Sequence, residues 1–315
     1  MVTETATSTF PSYVALQMDG ELERRAARAR EYLSDCVLCG RQCHVDRLKT
    51  LRGAACRTGE RAVVHSFGAH HGEENPLRGT GGSGTIFFSS CNLRCVYCQN
   101  WETSQQGAGT EVGPEELASM MLGLQERGCH NINFVSPSHT VAQTLEALVV
   151  AAGRGLRLPL VYNTGGYDSP EALELLDGVI DIYMPDMKYG DSRTARQYSR
   201  VRNYVAVNRA AVREMHRQVG DLILDDGGVA VRGLLVRHLV LPGGLANTGS
   251  VLKFIASEIS TDTYVNLMDQ YHPAYQASEY PPLDRPLQAR EYQNALALAA
   301  KYGLRRLDHR PARWC

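Results

Sequence analysis

The stretch GSGTIFFSSCNLRCVYCQN, residues 82–100, joins a short apolar run to three closely spaced cysteines. Its β-branched and aromatic residues predict a buried strand over residues 85–90, TIFFSS. Cys91, Cys95 and Cys98 follow that strand directly, with three and then two residues between them. Thiolates are the usual ligands of iron–sulfur clusters, whereas structural zinc generally takes four ligands. The loop therefore predicts a four-iron cluster with one iron open to a small-molecule chelate, in preference to zinc or to idle structural thiols.

Downstream of this loop, apolar runs alternate with amphipathic stretches. The runs predict five more strands: NINFVS (131–136), LPLVYN (158–163), DIYMPDMK (181–188), GLLVRHLVLP (233–242) and YVNLMDQY (264–271). The stretches predict helices: PEELASMMLGLQERG (114–128), TVAQTLEALVVAAGRG (140–155), SPEALELLDG (169–178), RAAVREMHRQVG (209–220) and TGSVLKFIASEI (248–259). Parallel strands need such crossover connections, so we expect an α/β fold, either a partial barrel or a doubly wound open sheet. In both, ligands collect at the carboxyl ends of the strands.

The composition is that of an ordinary globular protein. The chain has 315 residues, 43% of them hydrophobic and 21% charged, and a formal net charge of -1. This balance gives no reason to expect a nucleic-acid or membrane partner. No apolar run approaches the roughly 18 residues needed to span a bilayer, and the start MVTETATSTFPSY lacks the features of a secretory signal. We therefore expect a cytoplasmic protein, whose nine cysteines indicate metal binding rather than disulfides.

Composition also divides the chain into four expected regions. Residues 1–20, which are polar and rich in Ser and Thr, are expected to form a flexible tail. Residues 21–80 begin with a predicted helix over residues 21–33 and continue as a small cysteine-rich, metal-binding region. Residues 81–280 carry the predicted strands, and residues 281–315 are expected to form a helical C-terminal extension.

The cysteine-rich region holds a second group of thiols. Two, three and twelve residues separate its members, Cys36, Cys39, Cys43 and Cys56. Four thiolates so spaced suit either a tetrahedral zinc ion or a second iron–sulfur cluster, and a region with so small a core needs a staple. The polar residues that follow are expected to be mostly solvated, the alternative being that they line the mouth of the site: His65, His70, His71, Glu73 and Glu74. We assign no role to Cys129 and Cys315.

The motif CxxxCxxC after the first predicted strand, with Tyr97 before the third cysteine, resembles the radical S-adenosylmethionine (radical SAM) superfamily. The string CNLRCVYCQN, residues 91–100, is especially similar to the pyruvate formate-lyase activating enzyme branch. The resemblance covers about residues 36–280 and implies a partial (βα)6 TIM-type barrel with a [4Fe–4S] cluster that chelates SAM. It also implies that an electron donor such as flavodoxin or ferredoxin drives cleavage of SAM to a 5′-deoxyadenosyl radical, which abstracts a substrate hydrogen.

The resemblance further implies roles for residues at the later strand ends. Tyr97 would lie near the adenine, Lys188 would meet the carboxylate or ribose of SAM, and Arg237 matches the family's SAM-contacting arginine. His272 resembles an element near SAM or substrate. A monovalent-cation site near the SAM carboxylate would comprise Asn163, Thr164, Met184 and Asp186. The alternatives are core packing for Tyr97 and a purely structural Asp186–Lys188 pair.

The second predicted strand ends differently from the family pattern. The chain has FVSPSH, residues 134–139, where the family usually has a Gly-Gly-Glu motif that contacts the SAM amino group. Backbone carbonyls and the hydroxyls of Ser136 and Ser138 are able to accept hydrogen bonds from an ammonium group. His139 either meets substrate or caps the loop. On the fifth predicted strand, Arg237 is expected to point inward and His238 to face the helical layer.

The leading interpretation is a radical SAM oxidoreductase that acts on a glycyl-radical enzyme, which it would activate, or on a small molecule or peptide. An iron–sulfur electron-transfer or metal-binding scaffold protein is the alternative of another class. That alternative accounts for the cysteines and gives no reason for Lys188 and Arg237 to accompany them.

Overall fold

The computed structural model describes residues 11–308, which form an α/β structure around one central sheet. The strands in chain order are β1 (Ala62–His70), β2 (Ser83–Phe88), β3 (Thr110–Val112), β4 (Ile132–Val135), β5 (Leu160–Thr164), β6 (Ile182–Pro185), β7 (Ile223–Leu224), β8 (Ala230–Leu239) and β9 (Tyr264–Met268). The helices are α1 (Tyr13–Met18), α2 (Glu21–Glu31), α3 (Asn75–Arg78), α4 (Pro114–Glu126), α5 (Val141–Gly153), α6 (Pro170–Leu176), α7 (Ser192–Ser199), α8 (Tyr204–Val219), α9 (Thr248–Phe254) and α10 (Ala289–Lys301).

The parallel part of the sheet consists of six strands. β2, β4, β5, β6, β8 and β9 are paired in that order, each parallel to the next, with at least one helix in every connection. All six predicted strands are confirmed, with ends shifted by a few residues. The register brings the carboxyl ends of neighbouring strands together: Asn163 is paired with Met184, and Arg237 with both Asp186 and Asn266.

The two faces of the sheet have different surroundings, because successive side chains of a strand point to opposite sides. Phe134 and Tyr162 belong to a large buried cluster shared with the helices. Val161 and Leu235 lie on the other face, in a smaller buried cluster that also includes Leu77 of α3. The short helix α3 therefore covers the face of the sheet that the long helices leave open.

Two antiparallel strands that we did not predict extend the sheet at its β2 edge. β1 pairs with β2, and β3 pairs with β1. Most side chains of β1 are exposed, so the alternation that identifies a half-buried strand is weak there. Its residues, 62–70, therefore belong to the central sheet, although we expected them in the separate cysteine-rich region.

The expected flexible tail was wrong for its second half. α1 lies there, and Tyr13 is fully buried, with its hydroxyl donating to the Leu158 carbonyl at 3.0 Å. The backbone amide and hydroxyl of Ser12 donate to Asp181 Oδ1 at 2.9 and 2.8 Å. These contacts fix the segment on the end of the sheet. Residues 1–10 lie outside the described part of the chain.

The described part of the C-terminal region contains α10. The Tyr292 hydroxyl on this helix donates to the Leu267 carbonyl of β9 at 3.2 Å, which fixes α10 to the sheet. Cys315 lies outside the described residues. Between residues 11 and 308, the helices are all too short or too polar to cross a bilayer.

Leu77→Ala tests the packing of the smaller cluster. Leu77 is fully buried, so we expect the cavity left by this substitution to lower the free energy of unfolding by about 2–5 kcal/mol, measured by urea denaturation. Leu51, which is 45% exposed, provides the control, and Leu51→Ala should change it by less than about 0.5 kcal/mol. Equal losses at the two positions would contradict a packed role for Leu77.

Candidate functional site

The three-cysteine loop (residues 91–98) begins just beyond the end of β2, at the carboxyl edge of the parallel strands. Its backbone is fixed to the end of α7. Arg94 N donates to the Ser199 carbonyl at 3.1 Å, and Val96 N donates to the Tyr198 carbonyl at 2.8 Å. The course of the loop is therefore set by main-chain contacts with α7, independently of its thiols.

Each sulfur atom of the three-cysteine loop has a polar neighbour. Cys91 Sγ accepts a hydrogen bond at 3.3 Å from the amide two residues later. Cys95 Sγ lies 2.9 Å from Ser199 Oγ, and Cys98 Sγ lies 3.1 Å from Ser104 Oγ. These contacts orient the three thiols.

Burial and charge act in opposite directions on two of these thiols. Burial raises the pKa of Cys91, and it raises the pKa of Cys95 to about 12. The Lys188 charge opposes both shifts, which places its ammonium group within electrostatic reach of the sulfur atoms. Buried thiols of this kind keep their protons at neutral pH until a cation displaces them, and the thiolate is the form that binds metal.

Among residues 11–308, no three Cys, His, Asp or Glu side chains converge as the ligands of a single ion would. This holds for the three-cysteine loop and for the second thiol group (Cys36, Cys39, Cys43 and Cys56) alike. A cubane cluster presents its irons at separate corners, so its thiolates lie farther apart than the ligands of one ion. The three thiols of the loop are the donor type that such a cluster requires.

A charge cluster, which we define as Asn163, Asp186, Lys188 and Arg237, lies at the carboxyl ends of β5, β6 and β8. Asn163 and Asp186 are buried, and Lys188 and Arg237 are half-buried. Asp186 Oδ2 accepts from Lys188 Nζ at 2.5 Å, and Asp186 Oδ1 accepts from Arg237 Nε at 2.9 Å. Arg237 Nη2 donates to Asn163 Oδ1 at 2.7 Å. The structure thus brings together four residues that the sequence suggested separately, with Arg237 pointing inward.

The members of the charge cluster hold one another in the charged state. Burial acts to raise the pKa of Asp186, but the Arg237 and Lys188 charges outweigh it, so this pKa lies below its ordinary value. Burial acts to lower the pKa of Lys188 and of Arg237, and Asp186 reverses both shifts. Both oxygens of Asp186 are already paired with cations. The expected monovalent-cation site, with Asp186 as one of its residues, stays a prediction.

Two further residues, Glu74 and Asn266, border the charge cluster. The sequence left open whether Glu73 and Glu74 are solvated or line the mouth of the site; Glu74 is 2% exposed and Glu73 is also buried, so neither is solvated. Glu74 Oε1 accepts from Asn266 Nδ2 at 2.8 Å and lies 3.9 Å from Arg237 Nη1. Alternation along YVNLMDQY would have placed Asn266 on the inward face. Glu74 reaches the site from the connection between β1 and β2, and no local sequence pattern predicts this position.

A separate hydrogen-bond network joins the carboxyl ends of β4 and β5. Ser138 Oγ lies 2.9 Å from Thr164 Oγ1, which donates to Asp168 Oδ2 at 2.7 Å. The Tyr162 hydroxyl donates to the other oxygen of Asp168 at 3.0 Å. Ser136 lies on the adjoining turn with a left-handed φ of 59°. Ser138 and Thr164 are therefore buried together, while Ser136 stays on the loop.

Tyr97 fixes the three-cysteine loop, of which it is a part, to the protein core. Its hydroxyl donates to the Tyr189 hydroxyl at 2.7 Å, and its ring contacts the rings of Tyr189 and Tyr271 edge-on. The Tyr189 hydroxyl in turn lies 2.7 Å from the Ser199 hydroxyl, the neighbour of Cys95. Core packing is thus part of what Tyr97 does.

The three histidines at strand ends occupy different surroundings. His139 is buried against a carbonyl at the end of β2, and burial lowers its pKa to about 3, so it is neutral. His238 faces the helical layer, 2.9 Å from Thr248 Oγ1, and burial lowers its pKa to about 4. His272 is exposed, 3.2 Å from Gln99 Nε2, beside the three-cysteine loop.

The second thiol group lies against the three-cysteine loop. Gly40 N donates to the Tyr167 carbonyl at 2.9 Å, and Asn92 Nδ2 donates to the same oxygen at 2.8 Å. Arg41 Nε donates to the Asn92 carbonyl at 2.7 Å. The turn between Cys39 and Cys43 is therefore fixed to the residue that follows Cys91.

Comparison with known proteins identified a matching family model and several similar proteins. Residues 85–232 match the family model described as "Radical SAM superfamily". The uncharacterized protein MJ0674 of Methanocaldococcus jannaschii is 33% identical over 291 residues, which are 90% of this chain and 79% of that protein. The uncharacterized protein MJ0808 of the same organism is 23% identical over 223 residues, 68% of this chain and 60% of that protein. A structure of TYW1 with a lysine-pyruvate adduct bound is 10% identical, covering 69% of this chain and 73% of its own, with a TM-score of 0.43.

Asp186→Asn tests the electrostatics of the charge cluster. Removing the charge between two half-buried cations should lower the free energy of unfolding by about 1.5–3 kcal/mol at pH 7. Because the folded-state pKa of Asp186 is depressed, this contribution is present above the unfolded-state pKa of about 3.9 and is lost as the pH falls through the folded value.

The gap in unfolding free energy between wild type and Asp186→Asn, measured with urea at several pH values, should therefore narrow below about pH 4. Asp262→Asn, at an exposed carboxylate, should show almost no gap at any pH. A gap at Asp186 that stays constant down to pH 3 would contradict the ion pairing described above.

Proposed function

Because the chain belongs to the radical SAM superfamily, whose cofactors are a [4Fe–4S] cluster and SAM, we propose that it cleaves SAM reductively and abstracts a hydrogen atom from a substrate. One observation carries the proposal: the three-cysteine loop lies at the carboxyl end of β2, and its Leu93 and the Lys188 side chain of the charge cluster both lie against Gly165. An electron carrier does not need cations and an anion beside its cluster. A ligand with its own carboxylate and ammonium groups needs them, because they would pair with those two groups.

The residues of the loop fit a four-iron cluster with one open iron. Cys91, Cys95 and Cys98 would supply three thiolates, the donor type that such clusters require. The amide on Cys91 Sγ and the charge of Lys188 favour the thiolate form against the effect of burial. When bound, the cluster would supply one electron to the SAM sulfonium, whose S–C5′ bond would break to give methionine and a 5′-deoxyadenosyl radical able to take a hydrogen atom from the substrate.

Arg237 and Lys188 are the residues that we propose to bind the SAM carboxylate. A guanidinium group pairs with a carboxylate through two parallel hydrogen bonds, and burial strengthens such charged contacts. Glu74 would accept from the SAM ammonium group in place of the acid that the second strand end lacks. Its carboxylate lies 3.9 Å from Arg237, so an anion and a cation stand side by side, as they do in an amino acid.

The other predicted residues would support this arrangement. Asn163 would hold Arg237 in place, and Asp186 and Thr164 would fix the strand ends. The backbone carbonyls and hydroxyls of residues 136–138, Ser136 and Ser138 among them, would accept further hydrogen bonds from the ammonium group. Tyr97 would lie near the adenine, and the exposed His272 would lie near the substrate.

We further propose that residues 81–280 form a partial (βα)6 TIM-type barrel, supported by six parallel strands paired in chain order. Residues 21–80 would form the metal-binding region, and residues 281–315 a C-terminal extension. The string CNLRCVYCQN supports the pyruvate formate-lyase activating enzyme-like branch. Activation of a glycyl-radical enzyme is the reaction that this branch suggests. The altered second strand end and the second thiol group favour instead a small-molecule or peptide substrate.

Superfamily members need an electron donor, and we propose that an acidic one, such as flavodoxin or ferredoxin, docks on an arginine patch. We define this patch by four residues around the three-cysteine loop: Arg41, Arg57, Arg94 and Arg200. The charges of Arg57 and Arg41 act together with burial to lower the pKa of Arg94, so these three arginines are near neighbours. Arg41 Nη1 donates to the Arg200 carbonyl at 2.9 Å. Between residues 11 and 308, none of the four is ion-paired with a carboxylate, which leaves their charge available to a partner.

The cleavage reaction is tested on anaerobically reconstituted, reduced protein. The protein should convert SAM to 5′-deoxyadenosine and methionine, and mass spectrometry should detect both products. Cys91→Ala should lower the rate by about 100-fold or more, because the cluster loses one of three protein thiolates. Cys129→Ala, which removes a buried thiol outside both groups, should cleave SAM at the wild-type rate. Wild-type cleavage by Cys91→Ala would refute the proposal.

The donor surface is tested by reversing charge at the two exposed arginines of the patch. Arg57→Glu combined with Arg200→Glu should slow SAM cleavage about tenfold or more with reduced flavodoxin at low salt, and less as salt is added. With dithionite as reductant the rate should not change. Arg290→Glu, an exposed position on α10, is the control for net charge. An equal loss with both reductants would count against docking at this patch.

A further inference from the structure

A small cavity lies where β3 and the helices α2, α4 and α5 meet. It has a volume of about 190 Å³, and none of its lining residues belongs to the charge cluster or to either thiol group. One wall is apolar and comprises Val112, Pro114 and Leu117. A cavity of about 150 Å³ admits benzene, so this one has room for a molecule slightly larger than benzene.

A buried amide with an unsatisfied oxygen, that of Gln143, lines the cavity. Gln143 is 4% exposed, and its Nε2 donates to the Gly59 carbonyl at 2.8 Å and to the Glu60 carbonyl at 3.2 Å. These bonds fix the orientation of the amide, because a flipped amide would turn its oxygen towards two carbonyl oxygens. In the described part of the chain, Gln143 Oε1 accepts no hydrogen bond. A buried acceptor is costly to leave unsatisfied, so the site lacks a donor.

The charged residues that line the cavity are unevenly paired. Arg30 on α2 forms ion pairs with both Glu60 and Glu146. Two carboxylates thus share one guanidinium group, and the surplus negative charge lies near Gln143, which is one helical turn from Glu146 on α5. Arg61 also lines the cavity, and among residues 11–308 it forms no ion pair. The cavity therefore presents a surplus anion and an unpaired cation.

We propose that this cavity binds a free α-amino acid with an apolar side chain. Its ammonium group would donate to Gln143 Oε1 and lie near the Glu146 carboxylate, and its carboxylate would pair with Arg61. Its side chain would pack on the apolar wall. A simple amine would leave Arg61 without a counter-charge, and a simple carboxylate would leave the Gln143 oxygen without a donor. A ligand that carries both groups satisfies both residues.

The test is isothermal titration calorimetry on the full-length, anaerobically reconstituted protein, with L-leucine as the probe. Wild type should bind about one L-leucine per chain with a Kd of about 1 mM or lower. Two analogues with the same apolar stem should each bind about tenfold or more weakly: 4-methylpentanoate, which lacks the ammonium group, and 3-methylbutylamine, which lacks the carboxylate. Failure of wild type to bind L-leucine, or equal affinity for all three compounds, would overturn the proposal.

Substitutions at the rim of the cavity locate the site. Arg61→Gln and Glu146→Gln should each weaken L-leucine binding about tenfold, because each removes one of the two charges that pair with the ligand. Arg52→Gln and Glu174→Gln, at exposed positions outside the cavity, should bind it as wild type does. Wild-type affinity in both cavity variants would contradict the assignment.

A competition experiment separates this site from the proposed SAM site, because SAM also carries ammonium and carboxylate groups. Saturating SAM should leave the affinity for L-leucine unchanged, since the cavity and the charge cluster share no residue. Displacement of L-leucine by SAM would place the amino acid at the charge cluster and overturn the proposal. The measurement requires no turnover, so its outcome does not depend on whether the protein cleaves SAM.

Discussion

The carboxylate of Asp186, held between Lys188 and Arg237, is the interaction on which the rest of the site depends. The backbone pairs between β6 and β8 are confined to the register of Gly233 and Leu234, followed by a single bridge between Asp186 and Arg237. The side-chain ion pair therefore holds β6 and β8 together at their carboxyl ends, where few backbone pairs join them. Burying each of these charges alone would cost several kcal/mol, which their mutual pairing offsets. The cluster is consequently an all-or-none feature, in which every charge requires the others.

The same point of the fold anchors the loops around it. The Tyr204 hydroxyl of α8 lies 2.9 Å from the Gly165 carbonyl and 3.0 Å from the Asp186 carbonyl, and it accepts from Lys188 N at 3.0 Å. Gly166 has a φ of 72°, and a Cβ there would lie 2.3 Å from the Asp186 carbonyl oxygen. Gly166, the second of two glycines after β5, is thus required by the close approach of two stretches of backbone.

The sequence was informative wherever a local pattern decides the structure. The β-branched and aromatic runs predicted all six parallel strands, and the sequence also predicted that Arg237 points inward and offered an Asp186–Lys188 pair. It failed where the cause is tertiary. β1 was missed because most of its side chains are exposed, and α1 because the burial of Tyr13 depends on a surface formed by distant strands. In the site, Glu74 is placed by a connection whose path only the folded sheet determines.

The position of Glu74 also bears on the missing Gly-Gly-Glu motif. An ammonium group requires an anion at a certain point in space, whichever segment of the chain delivers it. Glu74 is buried beside β8 and β9, bonded to Asn266 and close to Arg237. The absence of an acid from residues 134–139 therefore relocates the proposed ammonium contact, and it does not argue against SAM as the ligand.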